Sequence, residues 1–247
     1  MNANCPPLRF AFCLPVLAAA ALLTAVPPAY SQEDDTPGSF AEPSIVNPSW
    51  AFELDVRTPQ AIAVPDDRGA MRWYWYAPYT VTNNTGRDRL FIPQVVVLDN
   101  LGRIVTAGRQ IPPNVFPAIA ERLGNDLLER PDDVIGRLLQ GEDFARDSVA
   151  IWPASSRDVD EFTLFFAGAD GETQPLIDPI TGEPITQAAT DPITGAAVLD
   201  EAGNPVQQTV MVRRNRAFTY ATPGTLGRGA NLREQPVTLL EEFVVMR

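Results

Sequence analysis

The clearest hydrophobic pattern in the chain runs from Met71 to Leu98. From Met71 the side chains alternate, with Trp73, Trp75, Ala77, Tyr79 and Val81 on one face and Arg72, Tyr74, Tyr76, Pro78, Thr80 and Thr82 on the other. A period of two marks a half-buried strand. Asn83, Asn84, Thr85 and Gly86 supply turn chemistry, because Asn and Gly tolerate backbone conformations that β-branched residues resist. The apolar run 90–98 then returns, and a second turn at 99–102 leads into 103–107. The pattern predicts a three-strand antiparallel meander. Upstream, Trp50, Phe52, Leu54 and Val56 alternate with Ala51, Glu53, Asp55 and Arg57 as a first strand, and Pro59 and Pro65 bracket a looser segment.

The period changes after Pro112 and Pro113. Val115, Ile119, Leu123 and Leu127 fall four apart, which predicts an amphipathic helix with Pro117 in its first turn. Pro131 opens a second short helix, with Asp132 and Asp133 where the dipole favours negative charge and Val134, Leu138 and Leu139 facing the sheet. The expected insert spans 113–140. Strands follow at 148–152 and 161–168 and read as another antiparallel pair. In the stretch 171–205, Asp178-Pro179-Ile180-Thr181-Gly182 recurs as Asp191-Pro192-Ile193-Thr194-Gly195, and Asp200-Glu201-Ala202-Gly203 is a degenerate third copy. Pro after Asp presets a turn and Gly closes it, so each copy reads as the tip of a hairpin in a long excursion. Residues 206–220 read as a strand or bent pair broken by Arg213, Arg214, Asn215 and Arg216, and 237–246 as a closing strand. Glu241 and Glu242 there are adjacent and point to opposite faces, so they do not form a catalytic pair.

Composition bounds the compartment and the chemistry. Residues 1–31 have a short positive start at Arg9, an apolar stretch at 14–26 too short to span a bilayer, and small residues Ala29 and Ser31 at a cleavage position. They read as a signal peptide, followed by a Pro-, Ser- and acid-rich flexible leader at 32–48 and a domain at 49–247. The protein is therefore expected to be exported, to the periplasm or the extracellular space, with no transmembrane span in the mature chain. Cys5 and Cys13 both lie inside the signal, which leaves no disulfide, and Cys13 is misplaced for lipidation. The chain has no histidine and no lysine, since all 19 basic residues are arginine. Ser/His/Asp and Cys/His triads, Schiff bases and the usual zinc sites are thereby excluded. The net charge of −12 disfavours nucleic acid and anionic lipid as partners. Carboxylate chemistry and all-oxygen cation sites stay open.

The order of cues has a known counterpart. The turn at 83–86, the apolar strand, the Asp-x-x-Gly turn Asp99–Gly102, Gly141-Glu142 and the strands at 149–152 and 162–166 together resemble the secreted immunoglobulin-like β-sandwich domains of many exported bacterial proteins. The resemblance covers about 50–168 and implies an adhesive, structural or partner-binding module, not an enzyme. The expected fold is a mainly β, immunoglobulin-like antiparallel sandwich with a two-helix insert and a hairpin excursion. No catalytic residue is assigned. Tyr74 and Tyr76 are candidate contacts as an exposed aromatic pair. Arg213, Arg214 and Arg216 are candidates to hold an anion or to pair with the acidic stretch, because no basic residue falls between Arg157 and Arg213. Asp178, Asp191, Asp200 and Glu201 are candidates for calcium. The partner class is an envelope or extracellular protein or a polysaccharide. The rival reading is a carbohydrate-binding or carbohydrate-active domain using exposed aromatics and carboxylates.

Overall fold

The computed structural model describes residues 48–154, 159–191, 193–222 and 237–247. The expected signal peptide and all but Pro48 of the expected leader lie outside these residues. Among these residues the chain is mainly β, built from antiparallel sheets with one short α-helix.

The first sheet is organised on its longest strand. Strands β1 (Glu53–Val56) and β2 (Gln60–Pro65) lie end to end along one edge of β3 (Met71–Thr82), in registers running from Glu53 opposite Thr82 to Pro65 opposite Met71. The segment bracketed by Pro59 and Pro65 is thus an ordered strand. Its hairpin is tied by Asp66, whose Oδ1 accepts the N–H groups of Arg68 (3.0 Å) and Ala70 (2.9 Å). The chain then leaves this sheet. Strand β4 (Arg89–Phe91) pairs with a distant segment, β5 (Gln94–Asp99) and β6 (Ile104–Thr106) form a hairpin, and α1 (Val115–Leu123) follows.

The expected hairpin between β3 and β5 does not form. Fully buried Asn83 fixes the turn instead: its Nδ2 donates to the carbonyls of Leu138 (2.8 Å) and Arg87 (3.0 Å), and its Oδ1 accepts from Thr85. Those bonds hold β4 against β7 (Gly136–Leu138). Pro93 then breaks the apolar run, since it has no N–H to donate to a ladder. The remaining half, β5, enters the other sheet.

The insert contains one helix, not two. Val115 and Ile119 are fully buried, Pro117 sits in the first turn, Gly124 caps the end in the left-handed conformation (φ 60°), and Asn114 Nδ2 donates to the Pro65 carbonyl (2.9 Å). Leu127, the fourth residue of the predicted stripe, is 79% exposed beyond the helix. Pro131, Asp132 and Asp133 form only a turn, and Gly136, at φ 150°, starts a strand. Val134 and Leu138 join the central core, whereas Leu139 is exposed.

Strand β8 (Arg146–Pro153) pairs with the second edge of β3, from Arg146 opposite Val81 to Pro153 opposite Tyr74. Strand β9 (Glu161–Ala167) pairs with β5, so the two runs expected to pair lie in different sheets. After β10 (Thr173–Pro175), the excursion carries β11 (Thr186–Ala188) and β12 (Gln207–Thr209), which pair with each other. Strand β13 (Met211–Ala221) pairs with β9 and β10 on one edge and β14 (Thr238–Met246) on the other. It runs unbroken through Arg213–Arg216.

The two sheets share one core. Trp75, Tyr79, Val81 and Trp152 from the first meet Val97, Phe162, Phe166 and Phe218 from the second, with Tyr79 edge-on to Phe166 at 5.0 Å. The other face of the first sheet is covered by α1, where Ile62, Tyr74, Tyr76, Val149 and Ile151 enclose Val115 and Ile119.

Candidate functional site

Tyr74 and Tyr76 are 7% and 0% exposed. They do not form a contact surface, because α1 packs on the face that their alternation with Arg72 and Thr80 makes look polar. Tyr76 is accommodated there by an O–H that donates to Gln60 Oε1 (2.8 Å), while Arg122 lies over its ring. Among the described aromatic residues only Phe144 is exposed.

The arginines of β13 divide by strand alternation. Arg216 pairs with Glu242 and donates from Nη1 to the Leu54 carbonyl (2.5 Å), tying one sheet to the other. Arg214 sits between Asp170 (3.4 Å) and Glu172 (3.6 Å), whose side chains are 7% and 10% exposed. Burial pushes the Asp170 carboxyl above its ordinary value, against the opposing effects of the Glu172 N–H and the Arg214 charge. Arg213 points to solvent, and its backbone exchanges bonds with Arg247. The expected pairing with the acidic stretch is therefore seen at Arg214, at the base of the excursion. Beside it, Gly171 lies against the indole of Trp50, which Arg89 covers from 4.3 Å and Phe52 meets edge-on at 5.2 Å.

Beyond this base the excursion branches. Leu176 N–H donates to Val210 O, Val210 N–H to Ile185 O and Ile185 N–H to Leu176 O, each at 2.8 Å, closing a three-way ring of backbone bonds. Ala189, Val206 and Val198 close a second ring in the same sense, at 2.7, 2.9 and 2.8 Å. Hairpin tips sprout from these junctions. At two of them Asp Oδ1 accepts the N–H groups two and three residues on: Asp178 from Ile180 and Thr181, Asp191 from Ile193 and Thr194. Gly182 and Gly195 close them at the same φ of 71°. Asp200 accepts from Ala202 and Asn204 at the third. These bonds hold the Asp191 and Asp200 carboxyls below their ordinary range, backbone donors being the main cause. The calcium candidates Asp178, Asp191 and Asp200 are thus each engaged in a separate turn, with Glu201 exposed beside the last. No group of three or more acidic side chains placed to hold a metal occurs among the described residues.

What the tips present is apolar. Ile180 and Ile193, equivalent in the repeat, are 92% and 93% exposed. Ile177, Leu199 and Val198 add further exposed aliphatic surface, and no described residue from 173 to 211 is buried. These exposed aliphatic side chains are spread over the separate tips and the stems between them. The charged neighbours are all acidic, from Asp178 to Glu201.

A cleft of about 260 Å³ opens elsewhere, between Tyr79, Pro93, Gly108, Pro131 and Ile151. Its charged groups are Arg109 and Asp132. It falls below the roughly 300–1,000 Å³ of ligand pockets and lacks a converging polar set. No helix among the described residues is long and apolar enough to cross a membrane. The chain matches no family model, no curated protein and no solved structure.

Proposed function

We propose that the protein is a non-catalytic, exported binding module of immunoglobulin-like organisation, and that its contact element is the branched excursion. The observation that carries this is the pair of isoleucines at equivalent, nearly fully exposed tips, held by backbone bonds in a segment with no core of its own. Covering one isoleucine side chain is worth about 1.5–3 kcal/mol. Acidic groups around the tips fit a protein partner with apolar pockets in an arginine- or lysine-rich rim, where charge sets orientation and on-rate. Export to the periplasm or extracellular space belongs to the same proposal and rests on the composition of residues 1–31. The carbohydrate reading drew on an exposed tyrosine pair, and that support is withdrawn by the burial of Tyr74 and Tyr76.

The test is retention of exported-fraction proteins on the immobilised wild type and on an Ile180→Ser/Ile193→Ser variant. A protein held through high salt by the wild type and released by the variant is the expected result. Equal retention on both, or retention of polysaccharide alone, overturns the assignment of the excursion as the contact element.

A further inference from the structure

Two tips of the excursion are copies of each other in geometry as well as in sequence. In the tip at 178–182 the Asp178 N–H donates to the Glu183 carbonyl (2.9 Å), the Gly182 N–H to the Asp178 carbonyl (2.8 Å) and the Glu183 N–H to Thr181 Oγ1 (3.3 Å). In the tip at 191–195 the Asp191 N–H donates to the Ala196 carbonyl (2.8 Å), the Gly195 N–H to the Asp191 carbonyl (2.8 Å) and the Ala196 N–H to Thr194 Oγ1 (3.3 Å). Ile180 and Ile193 therefore leave the same backbone at the same place, 92% and 93% exposed. The third tip shows that the turn does not need them. Its Gly203 N–H donates to the Asp200 carbonyl (3.0 Å) and Asp200 Oδ1 takes the Ala202 and Asn204 N–H groups, with Ala202 two residues beyond the aspartate where the other tips carry isoleucine. The two isoleucines also stand apart: one tip extends from the ring of Leu176, Ile185 and Val210, the other from that of Ala189, Val198 and Val206.

We propose that the two tips engage two copies of one pocket, so that the partner is a protein repeating that pocket on its surface, as a symmetric oligomer or a tandem-repeat chain does. This rests on the excursion being the contact element and adds that the contact is bivalent. A side chain presented twice on the same backbone fits the same apolar pocket twice. Because the tips sprout from separate junctions, each meets a pocket of its own. The carboxylates beside them, Asp178 and Glu183 at one tip and Asp191 at the other, match a basic rim at each pocket. Once one tip is seated, binding of the second is intramolecular, and the pair holds a repeating partner roughly 10²–10⁴ times more tightly than one tip alone without any new kind of contact. A partner with a single pocket gains nothing from the second isoleucine.

The experiment follows dissociation of exported-fraction proteins from the immobilised protein, at sparse and at dense coverage, for the wild type, Ile180→Ser, Ile193→Ser and the double variant. Both isoleucines are exposed, so all three variants are expected to keep the wild-type circular dichroism spectrum. At sparse coverage each single variant is expected to release the partner faster than the wild type by the same factor, roughly 10²-fold or more. Dense coverage is expected to restore slow release to both single variants, because neighbouring molecules then supply the second tip, and to leave the double variant without retention. A single variant that releases like the wild type at sparse coverage, or single variants that dense coverage does not rescue, overturns bivalency while leaving the excursion as the contact element. A wild type that retains nothing, or a double variant that retains as the wild type does, overturns the excursion assignment and this inference with it.

Discussion

Substituting Gly171 by alanine isolates a single steric contact at the base of the excursion. An added Cβ there would stand 2.3 Å from Trp50 Nε1, 2.5 Å from Cε2 and 2.8 Å from Cζ2, all inside van der Waals contact. Gly171 is not in the left-handed region, so the backbone accepts alanine and the cost falls on the indole. Moving the ring sacrifices its edge contact with Phe52, worth about 0.5–1.5 kcal/mol, and its place beneath Arg89, worth about 0.5–1 kcal/mol. The expected destabilisation is therefore about 1–2.5 kcal/mol. Urea unfolding followed by far-ultraviolet circular dichroism measures it, in the wild-type and Trp50→Ala backgrounds. Without the indole the methyl group enters vacated space, and the same substitution is expected to cost less than about 0.5 kcal/mol, a coupling that a double-mutant cycle resolves. Equal cost in both backgrounds would refute the account, because the strain would then lie in the backbone and not against Trp50.

Two further outcomes follow from buried groups. Arg214→Met removes the cation from beside the nearly buried carboxylates of Asp170 and Glu172, and is expected to cost about 3–5 kcal/mol in urea unfolding at neutral pH. The loss is expected to shrink towards the acid end of the native range, where the Asp170 carboxyl, pushed up by burial, protonates and sheds its charge. Burial pushes the Tyr79 phenol up to about 12. A folded value above the ordinary one near 10 means that the native state holds this proton more tightly. Its contribution is therefore complete below about pH 10 and is lost as pH rises through 12, by up to about 2.7 kcal/mol for two units. Tyr79→Phe is expected to flatten the alkaline decline seen in urea midpoints without abolishing it, since Tyr220 is also pushed up to about 12.

Most strands were legible in the sequence, β2 and β7 excepted, and most of their partners were not, the β5–β6 hairpin excepted. Period two alone places Trp75, Tyr79 and Val81 on a core face, and they are on it. Whether β3 then pairs with β5 depends on Asn83, whose buried amide bonds to Leu138, 55 positions away, and on Gly168, which admits the Ile92 carbonyl where a Cβ would lie 2.2 Å from its oxygen. Neither contact leaves a trace in local periodicity. Tyr74 and Tyr76 show the same limit. Threonine and arginine neighbours made their face read as solvent-exposed, while the helix that covers it was itself visible in the spacing of Val115 and Ile119. Only the docking of the two was missing, and Asn114 and Arg122 set it through bonds to the carbonyls of Pro65 and Ala61.

The excursion inverts this relation. Its tips were readable because an Asp-Pro start and a Gly close are local chemistry, complete within five residues. The junctions between them were not, being rings of backbone bonds that any non-proline residue can make. That indifference bears on function. Where a fold is held by side-chain burial, an apolar residue is explained by the core it fills, as Ile119 is. In the excursion the fold is held by main-chain bonds and Asp caps, so Ile180 and Ile193 fill nothing and a polar residue would serve the turn equally well. An aliphatic side chain at both equivalent tips opposes solubility and has no structural return within the described residues. On the proposed reading its use lies in contact with another surface, and the lack of any basic residue in the sequence between Arg157 and Arg213 specifies the charge that surface should carry.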